Sequence, residues 1–394
     1  MILKKFLSDN ILSRQIITYF FITLVSFIVF TLLSIFLLPI FFNIEYSSLS
    51  IIIDNYSNQS TINALKFMQL FSCVGLFIAP PFLYAYLSGE NIFLNIKVSR
   101  QVIILVIAIM ILINPFVSFT YFLNQSIGIP EWLTKYDQTA YLVTKAFLVM
   151  NSPIDLIINL LILAVLPAIG EELVFRGFLQ KKIISFSNKP YLAILFTAFL
   201  FSIIHMQFEG VLPRFILGSV LGFLFYFSSN IWIPIIAHFI NNSLIVILSY
   251  PALNNKISFD ILNLENFIRW DQAALSLIAV SVLFYLFKKK IDLEKKGMFQ
   301  TPPSDPEESL YVSGLYELGV NGLYTSDKPT FYLTYMMDIL PKEITISAAA
   351  LILTSMCILF YTRSLFISLL GLMQIILAIP FAYFVYYFVF GITL

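Results

Sequence analysis

The chain has 394 residues, of which 59% are hydrophobic and only 11% charged, with a mean hydropathy of +0.90. A soluble domain carries about 25% charged residues, so this composition excludes a water-soluble globule and makes the bilayer the solvent. The net charge of +1 gives no electrostatic case for nucleic acid, and two cysteines, Cys73 and Cys357, both in apolar runs, give neither a disulfide framework nor a CxxC metal motif.

In chain order, Lys4, Lys5 and Arg14 precede an apolar run from about 16 to 42. That run exceeds the h-region of a signal peptide and lacks a small-residue cleavage site, so it reads as a retained helix. A span needs roughly 20 apolar residues. Ten candidates follow, near 16–42, 64–88, 101–123, 153–178, 190–207, 212–228, 231–250, 272–288, 344–362 and 364–390. With the N-terminus inside, the inner loops hold 15 Lys and Arg against 5 in the outer loops. This is the asymmetry of cytoplasmic loops, and it places both termini in the cytoplasm. The expected fold is all-α, a polytopic transmembrane helical bundle. Residues 1–290 form an eight-span core, 291–342 a polar cytoplasmic insert opening on a Pro-rich turn segment at 301–308, and 343–394 a two-helix appendage.

Ionisable side chains inside spans are costly and mark function by default. The fourth candidate reads Pro167-Ala168-Ile169-Gly170-Glu171-Glu172-Leu173-Val174-Phe175-Arg176. Glu172 and Arg176 stand four apart and can pair on one helical face. Glu171 is turned about 100° away, which leaves it free for chemistry. Pro167 and Gly170 loosen the helix beside it.

The two histidines of the whole chain both fall nearby: His205 ends the fifth candidate, and His238 lies in the seventh, one turn before Asn242. A carboxylate, two imidazoles and an amide on three helices are the groups needed to hold and activate a water, directly or through a divalent metal such as zinc held by His205 and His238, with or without Glu171. Structural readings stand beside this one. Glu172–Arg176 is also what a plain buried ion pair looks like, and a helical histidine is often a packing residue. Pro80, Pro81, Pro115 and Pro380 read as kinks, and Gly218 with Gly222 as close helix packing.

At these residues the sequence resembles the CAAX-processing and bacteriocin-processing membrane proteases, which include the type II CAAX prenyl endopeptidases. Their pattern of EExxxR, FxxxH and HxxxN on successive helices is matched by Glu171, Glu172 and Arg176, by Phe201 and His205, and by His238 and Asn242. The resemblance covers about residues 150–250. It implies a membrane endopeptidase in which Glu171 activates water, Glu172 belongs to the catalytic set, and His205, His238 and Asn242 hold the water, a metal or the oxyanion. Arg176 and Phe201 are supporting residues. It also implies a membrane-associated or lipidated peptide substrate and a bacterial plasma-membrane location. The alternatives are a non-catalytic immunity or scaffold protein and a proton-coupled transporter, the latter without the internal symmetry such folds often show.

The span count leaves one conflict. It puts Glu171 and His238 in the cytoplasmic half and His205 near the far end of its helix. An interfacial helix over 179–192 would bring the depths together by moving the start of the fifth span.

Overall fold

The computed structural model describes residues 12–46, 58–90, 99–128, 130–250 and 269–300. The chain divides into two units, 1–296 and 297–394. Nearly all of the second lies outside the described residues, and with it the expected pair of helices at 343–394. Residues 291–300 continue the last described helix, where the sequence suggests the start of a polar insert.

Among the described residues nine long helices follow in order: α1 Leu12–Phe42, α2 Gln59–Ser88, α3 Arg100–Gln125, α4 Glu131–Phe147, α5 Pro153–Ser187, α6 Pro190–Ile204, α7 Val211–Ser228, α8 Trp232–Leu248 and α9 Trp270–Gln300. No strand occurs among the described residues. Six helical stretches are long and apolar enough to cross a bilayer, and α6 and α8 are shorter apolar helices of 15 and 17 residues. These eight correspond to the first eight candidates. α4 is an addition: its apolar residues are too few and too spaced for a span, and it reads as an amphipathic helix beside the bundle. Large apolar side chains such as Phe20, Ile28 and Phe36 point outward from α1, as lipid contact requires.

Prolines shape the spans, and side-chain amides repair the backbone they break. Pro115 has no N–H for the carbonyl one turn earlier, so α3 is interrupted at Ile113. The Asn114 amide donates to Met110 O at 2.7 Å and Ile111 O at 3.3 Å. In α5, π-helical turns at Leu160–Val165 and Leu173–Gln180 flank the stretch Leu166–Glu172 that carries Pro167. Such turns are frequent at functional sites.

Glycines permit close helix approaches, among them Gly75, where a Cβ would stand 2.7 Å from Phe30 Cβ on α1. A Cβ on Gly170 would stand 2.6 Å from Phe77 Cβ on α2, and one on Gly222 would stand 2.8 Å from Ile194 Cγ2 on α6. The central core joins α3, α7, α8 and α9 through Val106, Ile109, Leu221, Leu224, Ile233 and Phe287.

The depth conflict has a different answer from the one expected. Residues 181–187 are not an interfacial helix: they extend α5 without a break to Ser187. Asn188, at φ 54°, makes the left-handed turn, and α6 starts at Pro190. Glu171 and His205 thus lie equally far, seventeen residues, before and after Asn188 in an antiparallel hairpin. They are level because the fourth span is longer than its apolar run, not because the fifth starts late. The Lys181-Lys182 pair hides this continuation from a hydropathy reading.

Candidate active site

The site forms where α5, α6, α7 and α8 meet. Glu172 and Arg176 are both fully buried and pair at 2.7 Å, Arg176 Nη1 donating to Glu172 Oε1. Arg176 Nη2 donates to Gly218 O at 2.8 Å, and its guanidinium lies over the Phe201 ring at 5.0 Å. One turn on, Gln180 Nε2 donates to Gly222 O at 3.0 Å. The polar side of α5 therefore holds two successive backbone carbonyls of α7. The glycines make this reachable, since a Cβ on Gly222 would stand 2.9 Å from Gln180 Oε1.

The ion pair also orients a histidine. His238 Nδ1 lies 2.8 Å from Glu172 Oε1. An ionised carboxylate only accepts, so Nδ1 carries a proton, and in the neutral tautomer Nε2 keeps its lone pair. That lone pair is turned toward Glu171, whose Oε2 is 3.9 Å away. His205 repeats the arrangement. Its Nδ1 lies 2.7 Å from Phe201 O; a carbonyl accepts, so Nδ1–H donates and Nε2 is again the free atom. Phe201 makes edge contacts with both rings, at 5.0 Å to His205 and 5.9 Å to His238. The third motif member, Asn242, donates from Nδ2 to Leu163 O at 3.3 Å, and its Oδ1 accepts from Asn241 at 3.2 Å. Leu163 lies in the π-helical turn that precedes Pro167 in α5, so this bond ties α8 to that turn.

All seven residues singled out in sequence are thus in one region, in two groups. Glu172, Arg176 and Phe201 form a buried frame. Glu171, which is 9% exposed, and the two Nε2 atoms are the groups left over for chemistry. Asn242 is mostly committed to Leu163 O and Asn241 and keeps one amide N–H. Gln180 was not picked out by the sequence reading; its place one turn after Arg176, toward the second glycine of Gly218-xxx-Gly222, is the signal that finds it.

The metal reading gains no ligand set from this geometry. Among the described residues, no three His, Cys, Asp or Glu side chains are gathered so as to hold a metal ion. The imidazoles do have the second-sphere hydrogen bonds that metal-binding histidines usually make, but Glu171 as placed does not complete a triad, and no step below runs through a metal.

Comparison with known proteins agrees with this region. Residues 153–244 match the family model described as type II CAAX prenyl endopeptidase Rce1-like, the group that the sequence motifs resemble. The Bacillus subtilis protein named "Putative membrane peptidase YdiL" is 27% identical over 114 residues, covering 29% of this chain and 46% of that protein. The chain therefore spans about half the length of this curated relative. No solved structure matches. The matched residues comprise α5 to α7 and most of α8, the helices that carry the site.

Proposed function

We propose that the chain is an intramembrane endopeptidase with Glu171 as its general base. The observation that carries this reading is the 3.9 Å gap between Glu171 Oε2 and His238 Nε2; with the carboxyl ionised and the imidazole neutral, both atoms accept. A water about 2.8 Å from each would span that gap and give one hydrogen to each acceptor. Its lone pairs then face outward, toward a substrate carbonyl.

Glu171 takes one proton from this water as the oxygen bonds to the scissile carbonyl carbon. The developing oxyanion receives the remaining Nδ2–H of Asn242. Collapse of the tetrahedral intermediate breaks the C–N bond, and the proton held by Glu171 passes to the departing nitrogen. His205 Nε2 is a second acceptor for the water. Glu172 is a positioning residue: with Arg176 on one side and His238 on the other, it fixes the tautomer that makes Nε2 an acceptor. This scheme uses no metal, and zinc remains the competing reading in which both Nε2 atoms are ligands. The cytoplasmic placement of both termini and a bacterial plasma membrane are part of the same proposal.

The test is cleavage of a tagged peptide library by purified protein in detergent, with wild type, Glu171→Gln and His238→Ala compared with and without chelator. Cleavage lost in Glu171→Gln, with folding unchanged, supports the base. Loss of wild-type cleavage on chelation, restored by zinc, replaces the metal-free scheme. Retained cleavage by both variants sinks the protease assignment to this site and favours a scaffold role.

A further inference from the structure

The chain turns sharply just after His205. His205 caps the end of α6 with φ −72° and ψ −12°, and Met206 follows in left-handed backbone with φ 52°. Helices commonly end on a left-handed residue, and that residue is usually glycine, because an L side chain disfavours the conformation. The other non-glycine residues with positive φ among the described ones are Asn43, Asn188 and Ser229, all short and polar. Met206 has no polar side chain to bond the backbone locally. It is also 44% exposed, so burial of its side chain does not hold it there.

What holds it is the segment that comes next, whose backbone groups are taken by side chains of three helices. From α4, Asp137 Oδ2 and Oδ1 accept from Phe208 N and Glu209 N, each at 3.1 Å. From α3, Asn124 Nδ2 donates to Phe208 O and Asn124 Oδ1 accepts from Leu212 N, each at 2.9 Å. From α7, Arg214 Nη1 donates to Gln207 O at 2.7 Å, and Nη2 donates to Gln207 Oε1. Gly210 leaves room for this guanidinium, since a Cβ there would stand 2.8 Å from Nη2. Ser202 Oγ, on α6 itself, donates to Val211 O. Asn124 and Asp137 are only 6% and 8% exposed, so solvent does not readily replace them.

These bonds and the backbone at Met206 depend on each other. If Met206 took the right-handed conformation, α6 would run on past its cap. His205 would leave its terminal geometry and carry its ring with it, and the N–H groups of Phe208 and Glu209 would turn away from Asp137. The clamp therefore keeps Met206 against its own preference. Strain held by surrounding structure in this way gathers at active sites.

We propose that Asp137, Asn124 and Arg214 are positioning residues: through Met206 they keep His205 Nε2 at the reacting water. The proposal takes that water from the endopeptidase reading, whereas the grip on His205 stands apart from it and is measured separately.

The chain has two histidines, so isotope-labelled imidazole nitrogens give two sets of magnetic-resonance signals, assigned with His238→Ala. In Asp137→Ala the His205 signals should shift or broaden, while those of His238, held by Glu172 on α5, should stay. Met206→Gly takes the left-handed backbone without the side-chain penalty. Alone it should leave both sets unchanged; in the Asp137→Ala background it should return the His205 signals toward wild type. In the cleavage assay Asp137→Ala should lower kcat by roughly 5–30-fold, the bias against left-handed backbone at an L residue, with KM unchanged. Asp137→Ala/Met206→Gly should recover most of that loss. Asn124→Ala should behave as Asp137→Ala does, and it carries the comparison if Asp137→Ala does not fold. Signals of both histidines moving together, an unmoved His205, or no rescue by glycine each overturn the positioning role. The expected spectra from a protein that cleaves nothing overturn the endopeptidase reading and uphold the grip on His205.

Discussion

Arg176→Ala is the substitution with the largest consequence that the structure allows to be worked out. Arg176 and Glu172 have no exposure, so the lost partner cannot be replaced by solvent. Breaking a buried pair by removing one member costs about 3–5 kcal/mol, because the other charge stays buried. The lost cation–π contact with Phe201 at 5.0 Å and the lost bond to Gly218 O add to this, so the upper end, about 5 kcal/mol, is expected. Removing both charges behaves differently. In Glu172→Gln/Arg176→Met the glutamine still accepts from His238 and no ion is stranded, so the double variant should be more stable than Arg176→Ala by about 2 kcal/mol or more. Equilibrium unfolding in mixed SDS and non-ionic micelles measures both. Arg176→Ala should lose cleavage along with stability, while the double variant, which keeps an acceptor for His238 Nδ1–H, should retain more activity than Arg176→Ala. If Arg176→Ala costs under about 1 kcal/mol, or the double variant is the less stable, the pair is not the buried frame described above.

Further outcomes follow from particular contacts. Gly222→Ala places a Cβ 2.8 Å from Ile194 Cγ2 and 2.9 Å from Gln180 Oε1; overpacking of this kind costs about 1–3 kcal/mol, and a melting curve unchanged from wild type would contradict the close approach of α6 and α7. Asp137→Ala removes the acceptor of two backbone N–H bonds, each worth about 1.5–3 kcal/mol when the acceptor is charged; it should raise protease nicking of the 206–210 segment, read by mass spectrometry, and lower cleavage activity, with Asp137→Asn intermediate. Asn242→Ala removes the side-chain bond from α8 to Leu163 O; it should cost about 0.5–1.5 kcal/mol and lower cleavage, and a variant as stable and as active as wild type would show that this bond does not matter.

Much of this was open to a sequence reading, because buried charge in an apolar span is rare and has few explanations. Glu172 and Arg176 pair as their four-residue spacing requires, and Glu171 is the carboxylate left over. Both histidines join them, and the chain has no others. Hydropathy failed where helix and apolar run do not coincide. α5 continues through Lys181 and Lys182 because Lys182 finds Glu90, and an ion pair between distant segments has no local signature. The same holds for α4, whose Asp137 matters through bonds to residues some seventy positions later. The roles within the motif were also not legible. That Glu172 carries His238, and that Asn242 reaches Leu163 O, depends on which helices are neighbours.

The side-chain bonds from neighbouring helices to backbone carbonyls have a consequence for how the bundle assembles. In a medium without water an unpaired carbonyl and an unpaired amide each cost several kcal/mol. Leu163 O and Asn242 meet only in one alignment of α5 with α8, and Arg176 and Gln180 meet Gly218 O and Gly222 O only in one alignment of α5 with α7. Greasy helices in lipid have little else to stop them sliding past one another. Here a displacement by one turn would strand donors and acceptors on three helices together. The polar atoms thus act as a key cut into otherwise interchangeable apolar surfaces, and the same key that admits one alignment brings Glu171 level with the histidines.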